Sequence, residues 1–174
     1  NYMAAICAVW GMVPPEIIRT VARTFAGVEH RIELVRELGG VKYYNDSIAT
    51  TPTRPIAGLD SFQRKVILIA GGYDKRIPFD ALGPKVVEKV KCLILMGVTA
   101  DKIERAVVSA PGYSAREMPI IRVDSLEQAV RTARSRARSG DIVTLSPACA
   151  SFDMFPNFET RGNLYKKLVM ALDA

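Results

Sequence analysis

Histidine occurs once in this 174-residue chain and cysteine three times, and that scarcity removes several kinds of chemistry. With His30 as the single histidine and Cys7, Cys92 and Cys149 far apart, no Cys/His cluster has the spacing of a zinc site. An odd number of cysteines in mostly apolar surroundings gives no disulfide framework and fits reduced thiols in a cytoplasm-like compartment. No apolar run approaches the roughly 20 residues that span a bilayer, and no signal-peptide pattern is read, so no membrane partner is expected. Neither G-x-x-x-x-G-K followed by Ser or Thr, nor G-x-G-x-x-G, is present. If the chain serves a nucleotide-dependent reaction, the phosphate machinery therefore lies elsewhere.

What remains is an ordinary globular composition with a basic excess, 24 Lys and Arg against 18 Asp and Glu, a formal charge of +6. That balance admits an anionic partner, small molecule or nucleic acid alike. The length is that of one domain. Residues 1–12 and 16–25 read as helices, the second entered through Pro14-Pro15. Ile32 to Leu38 and Val41 to Asn45 flank Gly39-Gly40 as a β-hairpin. A polar loop, Asp46 to Pro52, leads into a helix over 53–62. From Lys65 the order is β-α-β-α-β-α-β-α, with strands at 65–70, 92–96, 120–123 and 142–145. Helices fall near 79–90, 101–108, 125–138 and from about 157 to 172. The expectation is an α/β, mostly parallel sheet with an antiparallel edge hairpin and helices on both faces.

The chain is organised around Gly140 to Gly162. The strand Ile142 to Leu145 stops at Ser146-Pro147, and Ala148, Cys149, Ala150 and Ser151 follow as four small residues before the last helix. A ligand could approach that backbone closely, and an anion suits the free N–H groups of a helix start. A tight crossover turn packed with small residues would read the same way. The loops after Asn45, after Ala70 and after Leu145 all leave carboxyl ends of strands, where open α/β sheets bind ligands. They offer the Thr50 hydroxyl, the Lys75 ammonium beside Gly71-Gly72, and the Ser151 hydroxyl, which together suit a small carboxylate ligand. Lys75 is equally readable as a solvated lysine, His30 as a cap or surface residue, and Cys149 as a buried packing residue rather than a nucleophile. The helix carrying Arg131, Arg134 and Arg138 on one face is an ordinary amphipathic cover for a sheet.

Four stretches go further: HRIE at 30–33, GVKYYNDSIAT at 40–50, GGYDK at 71–75 and LSPACASFDMFPNFETRG at 145–162. They resemble the carboxy-terminal domain of the Mur ligases, in the branch that adds D-glutamate, and the resemblance covers essentially the whole chain. It implies a Rossmann-like fold that presents the incoming amino acid. A separate central domain then binds ATP and Mg2+ and phosphorylates the carboxylate of UDP-N-acetylmuramoyl-L-alanine. By that resemblance the D-glutamate contacts fall on Thr50, Lys75, Ser151 and Phe158, with backbone at Phe152, and the nucleotide contacts on Asn1, Arg31 and Asp46.

The same resemblance makes residues 1–28 a helical lead-in from the central domain and 29–174 the amino-acid-presenting domain. It implies a cytoplasmic, monomeric ligase of peptidoglycan synthesis with no nucleic-acid partner. The chain alone is expected to be inactive, with no catalytic residue assigned. Replacing Arg31 or Asp46 by alanine is expected to impair ATP use and leave stability nearly unchanged. Ile48 stands where many members have lysine, and Thr51 where asparagine is common. A basic module binding a regulatory anion or RNA, and a folylpolyglutamate-ligase-like domain, are the alternative readings.

Overall fold

The computed structural model of the protein describes residues 2–25 and 27–173. The chain opens with α1 (Tyr2–Val9) and α2 (Pro15–Thr24), neither of which buries a residue. The first helix is shorter than the sequence suggests, because the chain turns at Gly11 with φ +83° and Trp10 bridges Val13.

β1 (Glu33–Leu38) and β2 (Val41–Asn45) pair antiparallel. Gly39 and Gly40 between them have φ of +57° and +75°, as a two-residue hairpin turn requires. There follow α3 (Thr53–Leu59), β3 (Val66–Ala70), α4 (Leu82–Lys89), β4 (Val90–Leu95), α5 (Ala100–Val108), β5 (Ile120–Arg122), α6 (Leu126–Arg136), β6 (Ile142–Leu145) and α7 (Phe158–Met170). α4 starts later than expected, since Phe79 to Ala81 form a turn that caps it, and β4 starts earlier, since buried Val90 goes straight from helix to extended backbone.

The strands form one sheet in the order β1-β2-β6-β3-β4-β5, parallel except for β1. β3 is buried at every position, as a central parallel strand with both faces covered must be. Ile67 and Ile69 pack with Ile94, Leu145 and Tyr165 on the face covered by α6 and α7, while Val66 and Leu68 pack with Val86, Leu93 and Ile103 on the face covered by α3, α4 and α5. The Rossmann-like architecture with helices on both faces and an antiparallel edge hairpin is therefore the one formed. From β3 the chain winds outward through β4 and β5, then returns to lay β6 on the other side of β3. That reversal creates a crevice at the carboxyl ends of β3 and β6. Among the described residues no helix is long and apolar enough to cross a membrane.

Candidate functional site

Three loops leave the carboxyl ends of the neighbouring strands β2, β6 and β3 and share one rim of the sheet. Two of them are zipped together: the Gly71 N–H donates to the Pro147 carbonyl at 2.8 Å and the Tyr73 N–H to the Ala150 carbonyl at 2.9 Å. The glycines permit this approach. Gly71 and Gly72 have φ of +108° and +145°, and a Cβ would meet the Met96 carbonyl at the first and the Ala150 carbonyl at the second. Ala148 holds φ +60° without being glycine, a conformation that costs about 1–3 kcal/mol and persists only when its surroundings enforce it.

Thr99, in the loop after β4, holds the turn from below. Its Oγ1 donates to the Gly72 carbonyl at 2.9 Å, accepts the Gly72 N–H at 3.0 Å and lies 3.1 Å from Cys149 Sγ. Burial pushes the Cys149 thiol up to about 11, so this cysteine stays protonated near neutrality and serves as packing, not as a nucleophile.

Thr50 and Lys75 come from different strand ends and meet, with Lys75 Nζ 3.5 Å from Thr50 Oγ1. They stand at a small cleft walled by Pro52, Tyr73, Phe79, Ala148 and Cys149. Ser151 is buried on the loop that forms this wall, and its carbonyl accepts the N–H groups of Met154 and Phe155 at 2.9 and 2.7 Å. Phe152 beside it is exposed, with its ring edge-on to Tyr73 at 5.8 Å. Phe158 stands apart: its ring packs edge-on against His30 at 6.0 Å and its carbonyl accepts the Ser47 hydroxyl at 2.8 Å.

A larger hollow of about 440 Å³ shares Thr50 and is lined by Arg31, Asp46, Ile48 and Arg54. Arg31 is exposed, between two residues of positive φ, His30 at +62° and Ile32 at +47°. Asp46 is buried: one carboxylate oxygen accepts the Ser146 hydroxyl at 2.6 Å and the other the Ile32 N–H at 3.3 Å. Burial pushes its carboxyl up to about 6, against the opposing pull of those hydrogen bonds and of Arg31 and Arg54. Alanine at 46 would leave both donors unpaired, so the expectation of unchanged stability does not extend to this position. The expected contact at Asn1 lies outside the described residues.

His30 is buried, with Nδ1 2.9 Å from Asn45 Nδ2. The amide can only donate there, so Nδ1 accepts. Glu29, His30 and Glu33 converge at metal-ligand spacing, but Lys166 Nζ already lies 2.8 Å from Glu29 and 2.9 Å from Glu33 and supplies the positive charge. A further hollow of about 670 Å³, between Pro78-Phe79 and α5, is lined by none of the expected site residues.

Sequence reasoning missed Arg161. This side chain is 1% exposed and makes four hydrogen bonds: Nε to Ser47 Oγ at 3.0 Å, Nη2 to the Ser47 carbonyl at 2.9 Å and the Cys149 carbonyl at 3.1 Å, and Nη1 to the Ala150 carbonyl at 3.1 Å. Small residues leave room around it: a Cβ at Gly72 would lie 3.3 Å from Arg161 Nη1, and one at Gly162 would press into His30 and Ser47.

A parallel sheet whose switch-point crevice carries the Lys75 ammonium and the Thr50 hydroxyl, beside a hollow lined by Arg31 and Arg54, is an α/β module with its open rim where such sheets take ligands. Residues 30–149 match the family described as Mur ligase, glutamate ligase domain, and the chain belongs to that family. It is 59% identical over 176 aligned residues to UDP-N-acetylmuramoylalanine–D-glutamate ligase of Acetivibrio thermocellus, covering 100% of this chain and 38% of that protein. To the protein of the same name from Clostridium acetobutylicum it is 59% identical over 169 residues, covering 97% and 37%. The chain thus spans less than two-fifths of the length of these curated relatives. Among solved structures, the bifunctional folylpolyglutamate synthase/dihydrofolate synthase of Yersinia pestis aligns with TM-score 0.67 at 17% identity, covering 96% of this chain and 37% of that one. A second structure of that protein, complexed with AMPPNP and Mn ion, aligns with TM-score 0.65 at 18% identity, with coverage of 96% and 37%. At these identities the likeness is one of fold.

Proposed function

We propose that this chain is the carboxy-terminal, D-glutamate-presenting part of an ATP-dependent UDP-N-acetylmuramoylalanine–D-glutamate ligase acting in the cytoplasm as a monomer. Residues 1–28 are the lead-in from the ATP-binding domain, a reading supported by a family match that begins at residue 30 and by two leading helices that bury nothing. ATP, with Mg2+, supplies the phosphoryl group that activates the acceptor carboxylate of UDP-N-acetylmuramoyl-L-alanine. The hollow lined by Arg31, Arg54 and Asp46 fits the nucleotide end of that reaction, because two guanidinium groups beside one buried carboxylate suit phosphate and hydroxyl together.

The amino acid is held on the other side of Thr50. Lys75 meets one of its carboxylates as a point charge, and the Thr50 and Ser151 hydroxyls and the Phe152 N–H fix its orientation; Phe158, whose ring lies against His30, supports the loop floor through its carbonyl bond to Ser47. Held in this way, the amine faces the activated carbonyl; amide formation releases phosphate and a proton. The observation that carries the reading is the meeting of Thr50 and Lys75 at 3.5 Å from two separate strand ends.

Lys75→Met keeps most of the apolar stem and removes the charge. A hydrogen bond to a charged group contributes roughly 1.5–3 kcal/mol, or about ten- to a hundredfold in affinity. In the full-length enzyme the KM for D-glutamate is expected to rise by about that factor, toward the lower end because Lys75 is exposed, while the KM for ATP barely moves. Unchanged glutamate kinetics would reduce this loop to a turn.

A further inference from the structure

The three loops of the site have one feature in common below the surface. Ser47 lies on the first loop, Cys149 and Ala150 on the second, and the four hydrogen bonds of Arg161 reach all three residues. The Ala150 carbonyl that accepts from Arg161 also accepts the Tyr73 N–H at 2.9 Å, which carries the connection into the third loop. Thr50 lies three residues beyond Ser47, Ser151 one beyond Ala150, and Lys75 two beyond Tyr73. One guanidinium thus sets the spacing of every side chain proposed to touch the amino acid.

We infer that Arg161 is the positioning residue of the amino-acid site, fixing Thr50, Lys75 and Ser151 relative to one another and lending the floor of the crevice a positive charge that favours a dicarboxylate. Among the described residues no carboxylate lies within ion-pair distance of Arg161, and its partners are carbonyls and a hydroxyl. A buried cation whose direct partners are all dipoles, with the Asp153 carboxylate acting on it only from beyond ion-pair distance, is costly as a stability device, whereas beneath an anion site the part of its field left uncancelled acts on the ligand. The planar fork of arginine is what lets one side chain address four acceptors on two loops; the single ammonium of lysine could not. Gly72 completes the arrangement, because a Cβ there would collide with the Ala150 carbonyl that accepts from both Arg161 and Tyr73 and would press on the guanidinium at 3.3 Å.

This inference rests on the proposed acceptor function and is tested on the full-length enzyme by steady-state kinetics with thermal unfolding as a control. In Arg161→Met the KM for D-glutamate is expected to rise at least tenfold while the KM for ATP stays within about twofold. Arg161→Lys, which keeps the charge and some of the donors, is expected to recover part of that loss. A residue that only stabilised the fold would lower kcat in proportion to the folded fraction and leave both KM values alone, and that result overturns the inference. Should Arg161→Met fail to fold, Arg161→Lys decides alone: a glutamate KM raised about threefold or more supports positioning, and an unchanged one overturns it. Absence of D-glutamate-dependent ADP release in the wild type would instead overturn the function itself.

Discussion

Asp46 shows how a single residue can belong to the fold and to the site together. Its carboxyl is pushed from 3.8 to about 6 by burial, so the native state binds a proton more tightly than the unfolded chain does. Stability from this group is therefore greatest on the acid side and declines as pH rises from about 4 to about 6, by a ceiling of about 3 kcal/mol for two pK units. Asp46→Asn removes the charge and keeps groups that can pair with Ile32 and Ser146. Its melting temperature is expected to exceed that of wild type at pH 7.5, with the gap about halved at pH 5 and closing near pH 4; a gap independent of pH would contradict the assignment of the shift to this carboxyl. Sequence placed Asp46 on the correct loop through the NDS stretch, yet nothing in the sequence distinguished a buried carboxylate from a surface one. Arg161 was hidden for the same reason: an arginine in the first turn of an exposed-looking helix reads as solvated until the Ser47, Cys149 and Ala150 acceptors are seen closed around it.

At the scale of elements, the site depends on loops that are pinned to one another. The Thr99 side chain makes two hydrogen bonds to the backbone of Gly72 from the loop after the neighbouring strand β4. Thr99→Val keeps the shape and leaves the buried Gly72 N–H without its partner, while the Gly72 carbonyl still accepts the backbone N–H of residue 99, a loss of roughly 1–3 kcal/mol. For a domain of this size that corresponds to a fall in melting temperature of about 2–12 °C, to be read by differential scanning fluorimetry. A shift below one degree would mean that the Gly71–Lys75 turn is held by its backbone bonds to Pro147, Ala150 and residue 99 without the hydroxyl. Most elements were legible beforehand, because β3 and β6 are short β-branched apolar runs and Ser125 and Asn157 sit as N-caps, accepting from Gln128 and Thr160. The placement of β6 between β2 and β3 was not legible, since periodicity says that a strand is buried but not which strands flank it.

For the whole molecule, the sheet and both helical layers close on themselves within the described residues, so the 174-residue chain is expected to fold and to melt cooperatively. It is also expected to show no ATP turnover, since it carries neither common phosphate-binding turn. Sustained ADP production by the purified chain would place phosphoryl chemistry in this domain and contradict the division of labour proposed here. The most direct test of that division is ADP release by the full-length enzyme, with UDP-N-acetylmuramoyl-L-alanine and ATP saturating and the amino acid varied. The account predicts turnover that saturates with D-glutamate, is far weaker with L-glutamate, and is absent when the protein ends before residue 29. Turnover equal for both enantiomers, or retained without residues 29–174, would contradict it.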